Sequence, residues 1–346
     1  MKATAVLGAV AVVLAASGCA KKSTDTTGSD KSGCVEKDAK KKVGMAFDVG
    51  GRGDQSFNDS AAKGLDDAVC ELGFTAKTAE AQDGEAESAR EGRLRQLADA
   101  GFNPVIAVGF AYSPSLSKIA KEYPKVNFAI VDDEAALGAN IANLVFAEEQ
   151  GSFLVGAAAA LKSKANHIGF VGGVEVPLIK KFEVGYMAGA KAVNPTIKID
   201  SRYLTQPPDF SGFGDPAKGK TAAEGMYDGG ADVIYHAAGG SGGGVFEAAK
   251  TAGAMAIGVD SDQAKTADAS VKDVILTSMV KNIDVAVLAY LKDVDGGSVP
   301  NGVTRYDLKV DGVGYSTTGG QADDIKKKLD EYKQQIIDGT IKVSSS

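Results

Sequence analysis

Val43-Gly44-Met45-Ala46-Phe47-Asp48 and His167-Ile168-Gly169-Phe170-Val171-Gly172 each begin a run of alternating strands and helices. Both are short apolar or β-branched stretches that stop at a residue suited to a turn, as buried strands do. From the first, the periodicity predicts strand 43–48, helix 58–72, strand 74–79, helix 86–100, strand 104–109, helix 114–122 and strand 126–131. From the second it predicts strand 167–172, helix 178–193, strand 197–204, helix 216–229, strand 232–237, helix 243–252 and strand 255–259. A helix-like stretch at about 148–162 lies between the two series. After them come strand 274–280, helix 282–294, a strand-rich stretch 303–315 and a closing helix 321–337.

Short strands separated by helices imply βαβ units and parallel sheets. Two such series of similar length imply two lobes of like build. The expected class is therefore α/β: a type I periplasmic-binding-protein fold, with two Rossmann-like lobes joined by a hinge that the chain crosses more than once. The expected division is 43–150 plus about 282–300 for the N-terminal lobe, and 151–281 plus about 301–343 for the C-terminal lobe.

Ahead of Val43 the chain reads differently. Lys2 precedes a small-residue apolar run from Ala3 to Ala16, then Ser17-Gly18-Cys19. A basic start, a short apolar core and small residues before a cleavage point describe a secretory signal over 1–18. The cysteine at that point looks like a bacterial lipobox, with Cys19 as the lipidated residue of the mature chain. Residues 19–42 are polar and hold too little apolar surface to offset ordering, so they are expected to form a tether. The expected location is the bacterial cell membrane, lipid-anchored on its extracytoplasmic face. The net charge of −7 and the lack of a basic patch on the body argue against a nucleic-acid partner. In an oxidising compartment Cys34 and Cys70 can bridge or remain two thiols, and spacing does not decide between them.

Ligands of open α/β sheets bind beyond the carboxyl ends of strands. The residues found there are Asp48 with Asp54 and Ser56-Phe57-Asn58, Gly109-Phe110, Asp132-Asp133, Gly172-Gly173, the glycine run 239–244, and Asp260-Ser261-Asp262. Asp132 and Asp260 hold equivalent places, each past the fourth strand of its series. Such carboxylates suit vicinal hydroxyls, or else cap the turns that follow. The glycine run lacks the Lys-Ser/Thr of a P-loop. His167 and His236 fall inside predicted strands, not at metal spacing, and no nucleophile elbow is present. No enzyme, cofactor or metal is expected.

Several of these stretches together resemble the BMP family of basic membrane lipoproteins. They are Val43 to Gly51 with Asp54-Gln55-Ser56-Phe57-Asn58, Gly169 to Gly173 with Pro177, and Phe182-Glu183-Val184-Gly185-Tyr186. Asp215 to Lys220, Ala237 to Gly242, Gly258 to Gln263 and Thr277-Ser278-Met279-Val280-Lys281 continue the likeness, which covers about 43–340. The resemblance implies a lipid-anchored substrate-binding component of an ABC importer, and a monomer is expected. Its partners would be a nucleoside, often a purine nucleoside, together with a permease and its ATPase. By position, Asp48 and Asn58 would address the base edge, with Phe57 and Phe213 as facing aromatics. Asp132 would add polar contacts, and Asp260, Lys281 and the backbone at Gly239 and Gly240 would hold the ribose. The stretch Leu204–Gly214, with Pro207-Pro208, looks longer than the family's loop, so Phe210 could stack in place of Phe213. The rival readings are the same fold binding a sugar or sugar-like signal, and a surface receptor or adhesin without a transport role.

Overall fold

The computed structural model describes Met1, Cys34, Val35, residues 37–82 and residues 84–346. Cys19, the signal segment after Met1 and the spacer as far as Gly33 lie outside the described residues.

The first half alternates as β1 (Lys42–Ala46), α1 (Phe57–Leu72), β2 (Thr75–Ala79), α2 (Glu87–Asp99), β3 (Val105–Val108), α3 (Ser113–Glu122), β4 (Phe128–Val131) and β5 (Ile141–Phe146). After α4 (Glu148–Lys162) the alternation resumes with β6 (His167–Val174), α5 (Pro177–Val193), β7 (Lys198–Thr205), α6 (Pro216–Asp228), β8 (Val233–Ala237), α7 (Gly242–Ala252), β9 (Met255–Asp260), α8 (Gln263–Thr266) and β10 (Ile275–Lys281). The chain closes with α9 (Ile283–Asp295), β11 (Gly302–Tyr306), β12 (Val313–Tyr315) and α10 (Lys326–Ile337). Local chemistry sets several ends. Gly73 at φ 74° stops α1, and Gly253 at φ 62° stops α7. Pro216 begins α6, whose N-cap Asp215 accepts from Lys218 N at 3.0 Å.

Two six-stranded sheets result, in the orders β11-β5-β4-β3-β1-β2 and β12-β10-β9-β8-β6-β7. All described pairings are parallel except β10 with β12. Strands β3, β4 and β5 are buried along their whole length, as strands covered on both faces must be. Helix α4 is buried on nearly every side, so it reads as core and not as a surface helix. It meets α5 at close backbone range. A Cβ on Gly189 would stand 1.9 Å from the Phe153 carbonyl oxygen, so only glycine fits there.

The chain passes between the sheets three times: from β5 to α4, from β10 to α9, and from β11 to β12. Helix α9 packs on α1 of the first lobe, while α10 packs on α4 of the second. This is the two-lobed, multiply crossed type I periplasmic-binding-protein arrangement read from the sequence.

Three expectations are corrected. The sequence reading passes over β5, whose apolar run is interrupted by Asn143. That side chain donates to the carbonyls of Asp133 and Ala136 at 3.1 and 2.8 Å, tying down the β4–β5 loop. Residues 302–306 do not join the second lobe. As β11 they pair with β5 in the first sheet, from Gly302↔Ala142 to Tyr306↔Phe146, so the last crossing falls after Tyr306. Finally, the tether does not run free to Lys42. Cys34 is bridged to Cys70, Val35 N donates to Cys70 O, and Asp38 N donates to Gly73 O at 2.8 Å.

Candidate ligand-binding site between the lobes

A cavity opens where the carboxyl ends of the two sheets face each other. Asp48, Phe57, Asn58, Asp132, Phe213, Gly239, Asp260 and Lys281 all line it. Gly240 does not. It lies beside the wall, where a Cβ would sit 3.5 Å from the Phe213 carbonyl oxygen. Phe110, Phe182 and Asp54 line it as well. Gly109-Phe110 and Asp54 follow strands and so are found by position, whereas Phe182 lies inside the predicted helix 178–193. It is both 2% exposed and part of the wall.

One end of the cavity is built around Lys281, the last residue of β10. Asp132 and Asp260 both turn the chain sharply, with φ of 64° and 63°. That left-handed region is uncommon for non-glycine residues and is tolerated best by Asn and Asp. The matching turns bring one carboxylate from each lobe to the same ammonium. Lys281 Nζ stands 2.5 Å from Asp132 Oδ2 and 3.5 Å from Asp260 Oδ1. The rings of Phe57, Phe182 and Phe146 lie 4.9, 5.3 and 5.4 Å from the same nitrogen. Burial alone would discharge this lysine, but the facing carboxylates of Asp132 and Asp260 reverse that and hold its pKa above the ordinary value. Burial likewise lifts Asp132 against the pull of Lys281. Asp132 Oδ1 and Asp260 Oδ1 are buried and make no hydrogen bond among the described residues. Glu148, the first residue of α4, lies behind this group and is pushed up to about 8 by burial and by the nearby Asp132 charge.

The other end carries the carboxylates of Asp48 and Asp54 and the rings of Phe110 and Phe213. Burial pushes the Asp48 carboxyl up to about 6, against a 2.8 Å hydrogen bond that its Oδ1 accepts from Val49 N. Asp48 needs glycine opposite it, since a Cβ on Gly109 would stand 2.2 Å from Asp48 Oδ2. Asn58 supports Asp48 from within the protein. Its Oδ1 accepts from Asp48 N at 3.1 Å, and its Nδ2 donates to Val49 O and Asp54 Oδ2. With both Nδ2 protons so engaged and one lone pair of Oδ1 in use, Asn58 holds the Asp48 loop from the cavity wall. Phe213 and Phe110 meet edge to face at 6.5 Å, one from each lobe.

The lobes also touch directly. Ser56 Oγ lies 3.1 Å from both Val259 O and Asp260 Oδ2, and Ser261 Oγ donates to Ser56 O at 2.8 Å. The histidines stand apart from the cavity wall. His236 is buried in β8 against Phe246, and burial holds its pKa down at about 4. No group of three metal-ligating side chains occurs among the described residues, and no helix there is long and apolar enough to cross a membrane.

Comparison with known proteins places the chain in a family. A family model, Bmp, described as ABC transporter substrate-binding protein PnrA-like, matches residues 41–346. The CD4+ T-cell-stimulating antigen of Listeria monocytogenes is 35% identical over 96% of each chain. The ABC transporter nucleoside-binding protein BmpA of Lactococcus lactis subsp. cremoris is 34% identical over 97% of each. Among solved structures, an ABC transporter system solute-binding protein from Aeropyrum pernix K1 is similar at a TM-score of 0.77 and 29% identity, covering 88% of this chain and 94% of that one. Because the family match runs through both lobes and both walls of the cavity, the chain belongs to the Bmp family of ABC transporter substrate-binding proteins, whose work is binding and not catalysis.

Proposed function

We propose that this protein captures a nucleoside, with a purine base preferred, between its lobes and delivers it to an ABC permease and ATPase. It does so as a monomer held on the outer face of the membrane through a lipid on Cys19. The observation that carries the ligand assignment is the pair of buried oxygens without a hydrogen bond, Asp132 Oδ1 and Asp260 Oδ1, on either side of Lys281. Buried acceptors left without donors cost free energy, and vicinal ribose hydroxyls supply the missing donors at about 1.5–3 kcal/mol for each charge-assisted bond. The base takes the Asp48 end, reached by Phe57 from the Lys281 side and by Phe213 from the opposite wall. Phe57 and Phe213 stack on it, worth about 1–3 kcal/mol by analogy with other base sites. Asp48 accepts an N–H from its edge, and Asn58 keeps Asp48 in place. The backbone at Gly239 adds contacts to the sugar. The name of the Lactococcus relative supports the same ligand class.

The test is calorimetric titration of protein unfolded and refolded to remove retained solute. The panel is purine and pyrimidine nucleosides, free bases, ribose and a nucleoside monophosphate. Micromolar or tighter binding of a purine nucleoside is expected, with free base and ribose at least tenfold weaker. Tighter binding of a free pentose would replace the nucleoside with a sugar. No nucleoside binding up to millimolar concentration would remove the assignment.

A further inference from the structure

Phe210 packs across the lobes without lining the cavity. It stands on the segment between β7 and α6, which is fixed from within. Thr205 Oγ1 donates to Asp209 O at 2.7 Å, Ser211 N to Asp209 Oδ1 at 2.9 Å, and Ser241 Oγ to Gly212 O at 2.7 Å. The segment so held places Phe213 in the cavity wall and sends Phe210 to the first lobe. There its ring meets Phe110 edge to face at 5.9 Å, and the Arg90 guanidinium lies 5.9 Å from its centroid.

Arg90 gives that contact its weight. It lies on α2, is 6% exposed, and its Nε makes no hydrogen bond among the described residues. Glu85 Oε1 is 3.5 Å away, but the Glu85 carboxylate is already bound by Arg93 and by Gln82 N. A buried cation thus has an aromatic face for part of its cover, and parting the lobes would strip that face away. Position adds leverage. Strand β7 is the far end of the second sheet and β2, which leads to α2, the far end of the first. The contact therefore sits at the end of the cleft remote from the three chain crossings.

We infer that Phe210, packed on Phe110 and Arg90, is a latch that holds the lobes shut without touching the ligand. It sets affinity and release rate and leaves base preference to Phe57, Phe213 and Asp48. The effect on affinity rests on the nucleoside reading, whereas the latch itself can be tested without any ligand.

The experiment places one spin label on each lobe and measures their distance by double electron–electron resonance in refolded, ligand-free protein. Wild type is compared with F210A and with F210L, which keeps apolar volume but removes the aromatic face. Titration with inosine, adenosine and uridine follows. The latch predicts a short-distance population in wild type that shrinks in both variants. It also predicts Kd values that rise by one common factor, roughly 3- to 30-fold, mainly through faster release. Unchanged distances in both variants would overturn it. So would a loss of affinity that differs more than threefold between the nucleosides, since Phe210 would then belong to the base site. If no nucleoside binds, the distances alone decide the latch and the ligand assignment falls separately.

Discussion

Replacing Lys281 with methionine would leave Asp132 and Asp260 buried with no cation between them. Removing one partner of a buried ion group exposes the other to its full desolvation penalty, about 3–5 kcal/mol. K281M is therefore expected to lose stability on that scale in urea titration, and more at pH 8 than at pH 5, where the Asp132 carboxyl, lifted by burial, can take a proton. Asp48 gives a second pH effect. Its folded pKa of about 6 lies above the unfolded value, so the folded state binds the proton more tightly. The cost of burying its charge is present in full above pH 6 and fades as pH falls toward 4, so ligand-free wild type gains stability on acidification through that window. D48N should flatten the gain, by roughly 1.4 kcal/mol for each factor of ten by which folding tightens proton binding at Asp48, read from thermal melts between pH 4 and 8. At this scale the sequence shows which residues follow strands, and so finds Asp48, Asp132 and Asp260. It does not show which polar atoms the protein has already engaged. Asn58 looks free in sequence, yet three protein groups hold its amide. Phe182 carries a helix-core pattern and still reaches the cavity, because α5 is buried on the side that also faces Lys281.

The elements that frame the cavity depend on short-range features that differ in legibility. The helix and strand series is plain from periodicity, and most ends agree within two residues. Strand β5 escapes because Asn143 breaks its apolar pattern and no helix precedes it, so neither cue for a βαβ unit is present. Strand β11 is visible as a strand, but its sheet is not. Residues 303–305 are exposed at an edge, and only the pairing with β5 says which lobe they serve. The docking of Cys34, Val35 and residues 37–41 is equally hidden, since their polar composition is that of a spacer. They are held by the Cys34–Cys70 bridge, hydrogen bonds to the end of α1, and an ion pair from Lys41 to Asp295. Reducing that bridge, or substituting both cysteines with serine, should lower stability by about 2–4 kcal/mol. Nucleoside affinity should stay within twofold, because the other end of α1 carries the site. A large loss of affinity on reduction would mean that the bridge positions Phe57 as well.

For the whole molecule, three crossings between two similar lobes leave one cavity wall on each, and closure brings the walls to bear on one ligand. The doubling was legible because the strand–helix order repeats, and the repeat places Asp132 and Asp260 at equivalent turns. What it could not supply was Lys281 as the shared partner of both, since that contact joins a strand end of the second lobe to a turn of the first across a gap of 149 residues. The ligand assignment therefore turns on whether the two carboxylates grip ribose hydroxyls. The most direct measurement is calorimetry with the preferred nucleoside and its 2′-deoxy and 3′-deoxy forms, on wild type and on D260N. A site built to pair with hydroxyls leaves buried groups unpaired when one is missing. Each deoxy form is accordingly predicted to bind wild type at least tenfold more weakly, with the penalty reduced in D260N for the hydroxyl that Asp260 holds. Equal affinity for all three forms would contradict the account.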